Sequence, residues 1–380
     1  MQTTNSKRTV FILLCLQQAA ISFNVAALTA SIPTISRDLH ITDVLGGKII
    51  AYYMIPYGLS ALIYAPLAQK FSTRFLMIAT MFLFAITNFL CAKIETIEHI
   101  LYLRVLVGVV SAGVVPLGLI LIGNMFEKSL RGRMVGLFFS GSFIAALSGI
   151  ILSATSNWRW LFYIPSLLAF VAALLLLMTR SPYLKRMTAC VDYRQVFKDP
   201  ILIKILLYIT IISTLYHGVD RWLGVYMGQV YGFNQVTVSC LFGILTISGV
   251  VMQNLGGQLS DRIGRLFSCR LGIALLAIGT ILLSFKFNLF ILIVILLVLS
   301  TGWNIGHNGA STVLTDFDEE KRSEIAGLNS ALRFFGGGVG FSITGIFVAK
   351  SFSMTFLGIG ILLFVLFLMV GKLIPDSTKV

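Results

Sequence analysis

The chain has 380 residues, of which 57% are hydrophobic and only 12% charged, with a formal net charge of +14 and a mean hydropathy of +0.92. A soluble chain of this length carries roughly 25% charged residues because its surface faces water. The composition therefore excludes an ordinary soluble protein, and the basic excess has to be explained by where the charges fall.

From the N-terminus, apolar stretches lie near 10–31, 45–67, 74–92, 100–124, 134–156, 160–179, 200–224, 236–257, 267–285, 289–312, 325–348 and 353–371. Each approaches the roughly 20 residues a helix needs to cross the hydrocarbon core. An all-α membrane protein with twelve transmembrane helices is predicted. The first stretch follows Lys7 and Arg8, runs past twenty residues and offers no small-residue cleavage site, so a retained helix is expected rather than a signal peptide. One set of alternating loops, with the termini, carries twenty Lys and Arg. The opposite set carries six (Arg37, Lys48, Lys93, Arg159, Lys286 and Lys350), and Arg104, Arg221 and Arg333 fall within spans. The positive-inside rule then places both termini in the cytoplasm of a protein of the inner or plasma membrane. The charge needs no nucleic acid as partner. Cys15, Cys91, Cys190, Cys240 and Cys269 form no Cys-x-x-Cys pair, so no disulfide framework, metal site or other cofactor is implied.

The ionisable and polar residues inside spans are functional candidates, because burying them in lipid is costly. In the first span Gln17 and Asn24 are seven apart and share a face; the second span offers Tyr52, Tyr53 and Tyr57. Arg104 lies in the fourth, either to move protons or to bridge helices. The seventh carries His217-Gly-Val-Asp220-Arg221-Trp222, in which His217 can share a face with Asp220 and Arg221. Asp220 is the one carboxylate placed within a span. It exchanges protons near neutral pH only if its surroundings disfavour its charge, and His217 is a natural proton partner. The alternative is a permanent Asp220–Arg221 pair, although adjacent positions diverge by about 100° on a helix. The tenth span brings Asn304, His307 and Asn308 to one face, and the eleventh does so for Asn329 and Arg333, which would favour an anionic or carbonyl-bearing solute. Both clusters are expected to line a cavity. Interhelical hydrogen bonds and snorkelling are the structural alternatives. Gly336-Gly-Gly338-x-Gly340 lies in a hydrophobic span without the flanking Lys-Ser/Thr of a phosphate loop, so close helix contact or a hinge is expected.

The longest cytoplasmic connection divides the chain into residues 1–180, a loop at 181–199, and residues 200–380. The halves resemble each other. Leu67 and Lys70 match Leu259 and Arg262 at an offset of 192, while Arg131-Gly-Arg-Met-Val-Gly136 matches Arg322-Ser-Glu-Ile-Ala-Gly327 at 191, where Gly149 also meets Gly340. A duplicated six-helix unit accounts for this.

Three motifs then converge. Gly257-x-Leu-Ser-Asp261-Arg262-x-Gly264-Arg265 follows the eighth span, Arg104-x-x-x-Gly108-x-x-x-x-Gly113 lies in the fourth, and Asn157-Trp-Arg-Trp-Leu-Phe-Tyr-Ile-Pro165 enters the sixth. Together they resemble the major facilitator superfamily over essentially the whole chain, and within it the twelve-helix drug/proton antiporter-like branches. The resemblance implies two pseudo-symmetric six-helix bundles rocking around a central site, in a monomer that moves a small-molecule substrate through the lipid bilayer with protons as coupling ion. It also implies a gating loop, in which Asp261 pairs with Arg262 or Arg265 and with a helix N-terminus, and Gly257 and Gly264 allow close approach. In the first half Gln69 replaces the acid, and the fifth span has Ala145-Ala146-Leu-Ser-Gly149 in place of the antiporters' Gly-Pro. Export by proton exchange is the first expectation. Uptake by symport or facilitated diffusion, of metabolites or siderophores among others, is the second. A non-transporting receptor or enzyme is the third, though no nucleophile–base pair or metal cluster supports catalysis.

Overall fold

The structure is a computed structural model that describes residues 2–155, 157–179, 181–184, 191–315, 317 and 322–374. Arg180, Lys185, Arg186, Cys190, Lys321 and Lys379 lie outside them, as do the side chains of Lys128, Arg131 and Arg322.

The chain is all-α. Its helices are α1 (Gln2–Asp38), α2 (Asp43–Lys70), α3 (Thr73–Lys93), α4 (Ile97–Ser111), α5 (Val114–Met125), α6 (Lys128–Thr155), α7 (Trp160–Met178), α8 (Pro200–Asp220), α9 (Leu223–Tyr231), α10 (Gln235–Ile263), α11 (Arg265–Leu282), α12 (Leu289–Thr315), α13 (Arg322–Val348) and α14 (Phe352–Leu373). Among the described residues they provide twelve spans long and apolar enough to cross a membrane, with α4 and α5 sharing one and α8 and α9 another. Helix starts are set by short polar side chains that accept from otherwise unpaired amides. Thr42 caps Leu45, Ser72 caps Phe75, Asp199 caps Ile201 just ahead of Pro200, Asn234 caps Thr237 and Ser351 caps Met354. The fourth span breaks because Pro116 has no N–H to give to the turn before it. Gly264 ends α10 at φ 113°, a left-handed conformation that side-chain-bearing residues rarely adopt.

By contacts the chain divides into two compact units, Met1–Val191 and Asp192–Val380. In the first, α1 packs on α6, α3 on α7 and α2 on α4; in the second, α8 packs on α13, while α12 packs on α10 and α11. One packing contact recurs. A Cβ on Gly149 would collide with the carbonyl oxygen of Phe23 in α1, and a Cβ on Gly340 with that of Thr214 in α8. An offset of 191 residues relates both glycines and both carbonyls, so the duplication read from the sequence is repeated in backbone contact. Gly336 also lies close to α8, its Cβ position being 2.9 Å from the carbonyl oxygen of Thr210, which accounts for the glycine run as a helix-contact surface.

The last part of the segment joining the halves, from Asp192 on, packs on the second unit. A short 3-10 helix, Tyr193–Lys198, packs on α8 and α13. The amide of Asp192 donates to the buried carboxylate of Glu324 at 3.1 Å. Burial beside that carboxylate pushes the Tyr193 phenol up to about 12, so it stays neutral throughout the physiological range.

Replacing Gly149 or Gly340 by Leu forces a side chain into a neighbouring carbonyl and is expected to destabilise the protein by about 1–3 kcal/mol or more. Gly257→Ala meets open space and leaves stability unchanged or slightly raised. Melting temperatures of the purified variants check the contrast, and equal losses at all three positions would contradict it.

Candidate functional site

In the first unit the polar residues converge on Arg104, whose side chain is 0% exposed. Its Nε donates to the carbonyl of Ile49 at 3.1 Å and its Nη1 to Asn24 Oδ1 at 2.8 Å, and the guanidinium lies 4.5 Å from the centre of the Tyr53 ring. Asn24 in turn donates to the carbonyl of Leu161 at 3.0 Å and approaches Asn88 Oδ1 at 3.5 Å. One guanidinium thus ties α4 to α1 and α2, and Asn24 extends the tie to α3 and α7. Arg104 therefore bridges helices and holds a carbonyl of α2 at the same time. Gly108, one turn on, lets α4 lie against the carbonyl of Tyr53.

The Trp-Arg-Trp segment has a structural task as well. Trp158 donates to Asp38 at 2.9 Å, while Arg159 pairs with the same carboxylate at 3.7 Å and donates to the carbonyls of Ala92 and Ile94. The start of α7 is thereby fastened to the ends of α1 and α3. Nothing local in the sequence marks Asp38, the last residue of α1, as the partner of residues about 120 positions away. At the other end of the unit, Arg74 donates to the last carbonyls of α7, at Leu176 and Leu177.

In the second unit Asp220, with a side chain 16% exposed, accepts from the Tyr216 hydroxyl at 3.2 Å, and lies 3.4 Å from Arg221 Nε and 3.8 Å from His217 Nδ1. Arg221, the cap of α8, keeps a right-handed helical backbone, and its long side chain still reaches the neighbouring carboxylate. Trp222 turns away, donating to the carbonyl of Phe341 and stacking on that ring. Tyr216 stacks on Trp303 of α12, with centroids 3.9 Å apart and planes 6° apart. Trp303 also meets His217 at 5.2 Å and His307 at 5.4 Å.

His307 then leads to Arg333, which is 9% exposed. The guanidinium of Arg333 donates to His307 Nδ1, to Asn329 Oδ1 at 2.7 Å and to the Ser311 hydroxyl at 3.0 Å. A guanidinium can only donate, so His307 Nδ1 presents a lone pair and carries its proton on Nε2. No carboxylate lies within ion-pairing distance of Arg333 among the described residues. The tenth-span cluster expected on one face divides instead. Asn308 donates to the carbonyl of Gln253, and Asn304 donates to the carbonyl of Ser300 beside Gly249, so both face α10 while His307 faces α13. Positions i+3 and i+4 lie on either side of the helix line through i, about 100° apart, and here that separation decides.

The expected gating loop is the turn between α10 and α11. Arg265 Nη1 donates to Asp261 Oδ1 at 2.5 Å and to Ser260 at 3.3 Å. Arg262 is exposed and is not the partner. Asp261 is 66% exposed, and such pairs contribute about 0–1 kcal/mol. Close approach is made by Gly256, whose Cβ position lies 3.0 Å from Ile305, and not by Gly257, which faces open space. A separate groove of about 550 Å³ opens between α3 and α7, lined by Phe89, Trp160, Tyr163 and Phe170 among others, and holds none of the buried charges. Its apolar walls suit lipid contact.

Asn24→Leu strands Arg104 Nη1 without an acceptor, and losing a buried hydrogen bond to a charged group costs about 1.5–3 kcal/mol. A melting temperature indistinguishable from that of the unaltered protein would contradict this account of the first unit.

The Major Facilitator Superfamily model matches residues 14–341, and the chain belongs to that family. The multidrug transporters TPO1_1 and TPO1_2 of Candida glabrata are 27% identical over 177 residues and 28% identical over 170, which is 45% and 43% of this chain. The chain spans only 31% and 30% of the length of those relatives. A solved bacterial homologue of the human lysosomal transporter Spinster, inward-facing and occupied, superimposes with a TM-score of 0.79 at 14% identity, covering 96% of each chain. That likeness shows the fold.

Proposed function

We propose that this member of the Major Facilitator Superfamily is a secondary transporter that exports a small organic solute across the cell membrane in exchange for protons. It works by alternating access as a monomer with both termini in the cytoplasm. The observation that carries the reading is Asp220, a largely buried carboxylate in a membrane span, shared by Arg221, His217 and the hydroxyl of Tyr216. Exchange uses two states of this group. As a carboxylate it holds Arg221; as an acid it releases Arg221 and keeps the hydrogen bond with Tyr216. A proton and a cationic group on a solute satisfy Asp220 in the same way, so each excludes the other. Mutual exclusion at one site is what exchange requires. The multidrug names of the Candida glabrata relatives favour export. Asp261 with Arg265 is assigned to holding the α10–α11 turn through the cycle.

A second reading rests on the 3.4 Å contact between Asp220 and Arg221. If that pair never opens, Asp220 carries no proton and the chain is a facilitator or a symporter coupled elsewhere.

Inverted membrane vesicles energised by respiration, followed with a pH-sensitive dye and challenged with a broad compound panel, separate the two. Compound-dependent proton release by the unaltered protein, reduced about tenfold or more in Asp220→Asn, is the expected outcome. An equal response in Asp220→Asn would remove this residue from coupling. No response above empty-vector vesicles to any compound would overturn exchange.

A further inference from the structure

The second unit contains a seam with opposite charges at its two ends. At one end is Asp220. Next to it Tyr216 and Trp303 are stacked, both half-buried, and beyond Trp303 come His307 and Arg333. Asp220 lies one turn from Tyr216, and His307 lies one turn from Trp303. Because α8 and α12 cross the membrane in opposite directions, the two steps lead away from the ring pair towards opposite ends. Four residues on each helix at about 1.5 Å per residue separate the backbone positions of Asp220 and His307 by about 12 Å along the helix axes.

The two ends differ in how they are satisfied. Arg333 is a buried cation whose named partners, Asn329, Ser311 and His307, are all neutral acceptors. A carboxylate from outside the chain would be its first anionic partner among the described residues, and charge-assisted contacts to a guanidinium are about twice as strong as neutral ones. Asp220 has a cation already, but Arg221 sits on the helix cap at the edge of the seam, where a competing ammonium can replace it. Between the ends the Tyr216 and Trp303 rings offer an apolar edge, with the His217 imidazole beside them at the acid end.

From this arrangement we infer that the solute is amphoteric: a small organic molecule with a cationic amine and a carboxylate about 10 Å apart, joined by an apolar or aromatic middle. The amine takes the Asp220 end, the middle lies along Tyr216 and Trp303, and the carboxylate takes Arg333. This deepens the exchange reading above and rests on the same Asp220, because it is the amine that competes with the proton.

Calorimetric binding to the purified protein in lipid nanodiscs tests it, using Gly-Phe-Gly as the probe. An extended tripeptide spans about 10 Å at ~3.3–3.6 Å per residue. N-acetyl-Gly-Phe-Gly lacks the cation, and the C-terminal amide lacks the anion. The free tripeptide is expected to bind at least about tenfold more tightly than either capped form, the loss that follows removal of one charged hydrogen bond. Arg333→Gln is expected to abolish the preference for the free carboxylate while keeping that for the free amine, and Asp220→Asn to do the reverse. Arg333→Lys keeps the charge, and so retains the carboxylate preference if Arg333→Gln fails to fold. Equal binding of all three peptides, or no binding of any, overturns the inference. The pattern of preferences found in a protein that moves no protons would instead overturn the exchange reading and leave this one standing.

Discussion

Arg104 has no exposure to solvent or lipid and no carboxylate within reach among the described residues, yet its guanidinium stays charged at any physiological pH. A charge so placed is tolerated only where acceptors and ring faces surround it, and in this chain those come from α1, α2 and α7. The first unit is therefore organised around a polar contact as much as an apolar one. In a bilayer this has a particular force. Lipid is as apolar as leucine, so burial alone gives helices little reason to choose one neighbour over another, whereas close backbone packing and hydrogen bonds do. Gly149 against Phe23 and Gly108 against Tyr53 supply the packing; Asn24 and Arg104 supply the bonds.

The second unit keeps the glycine contact and replaces the buried keystone with an extended seam. Gly340 meets Thr214 as Gly149 meets Phe23. No counterpart of Arg104 appears on α12, where the offset of 191 falls on Ile295, and the buried guanidinium of this unit is Arg333 on α13. Duplicated backbones thus carry different polar contents: the first unit gathers them on one buried arginine, and the second spreads buried and half-buried ionisable groups along α8, α12 and α13.

Much of this was legible in the sequence. Hydropathy marks the spans because a span must be about 20 apolar residues whatever it packs against, and the repeat marks Gly149 and Gly340 because contact at a carbonyl admits no other residue. Partners distant in sequence were less legible. Asp38 is joined to Trp158 and Arg159, and Glu324 to Asp192, by pairings that no local period encodes. Rotational errors of a fraction of a turn account for most of the rest. Asn304 was placed with His307 and belongs to the α10 face, Gly257 was assigned the contact that Gly256 makes, and Arg262 was a possible partner where Arg265 holds the acid. The Asp220–Arg221 contact is not encoded by helical period either, because it depends on the reach of a long side chain.

The central claim is that this chain itself moves a solute against its gradient. Proteoliposomes containing only the purified protein, given an imposed pH gradient with the membrane potential clamped, measure that without other membrane components. Solute movement opposite to the proton flow, abolished when the gradient is collapsed, is the predicted result. Binding without gradient-driven flux would contradict the claim and leave a receptor built on a transporter fold.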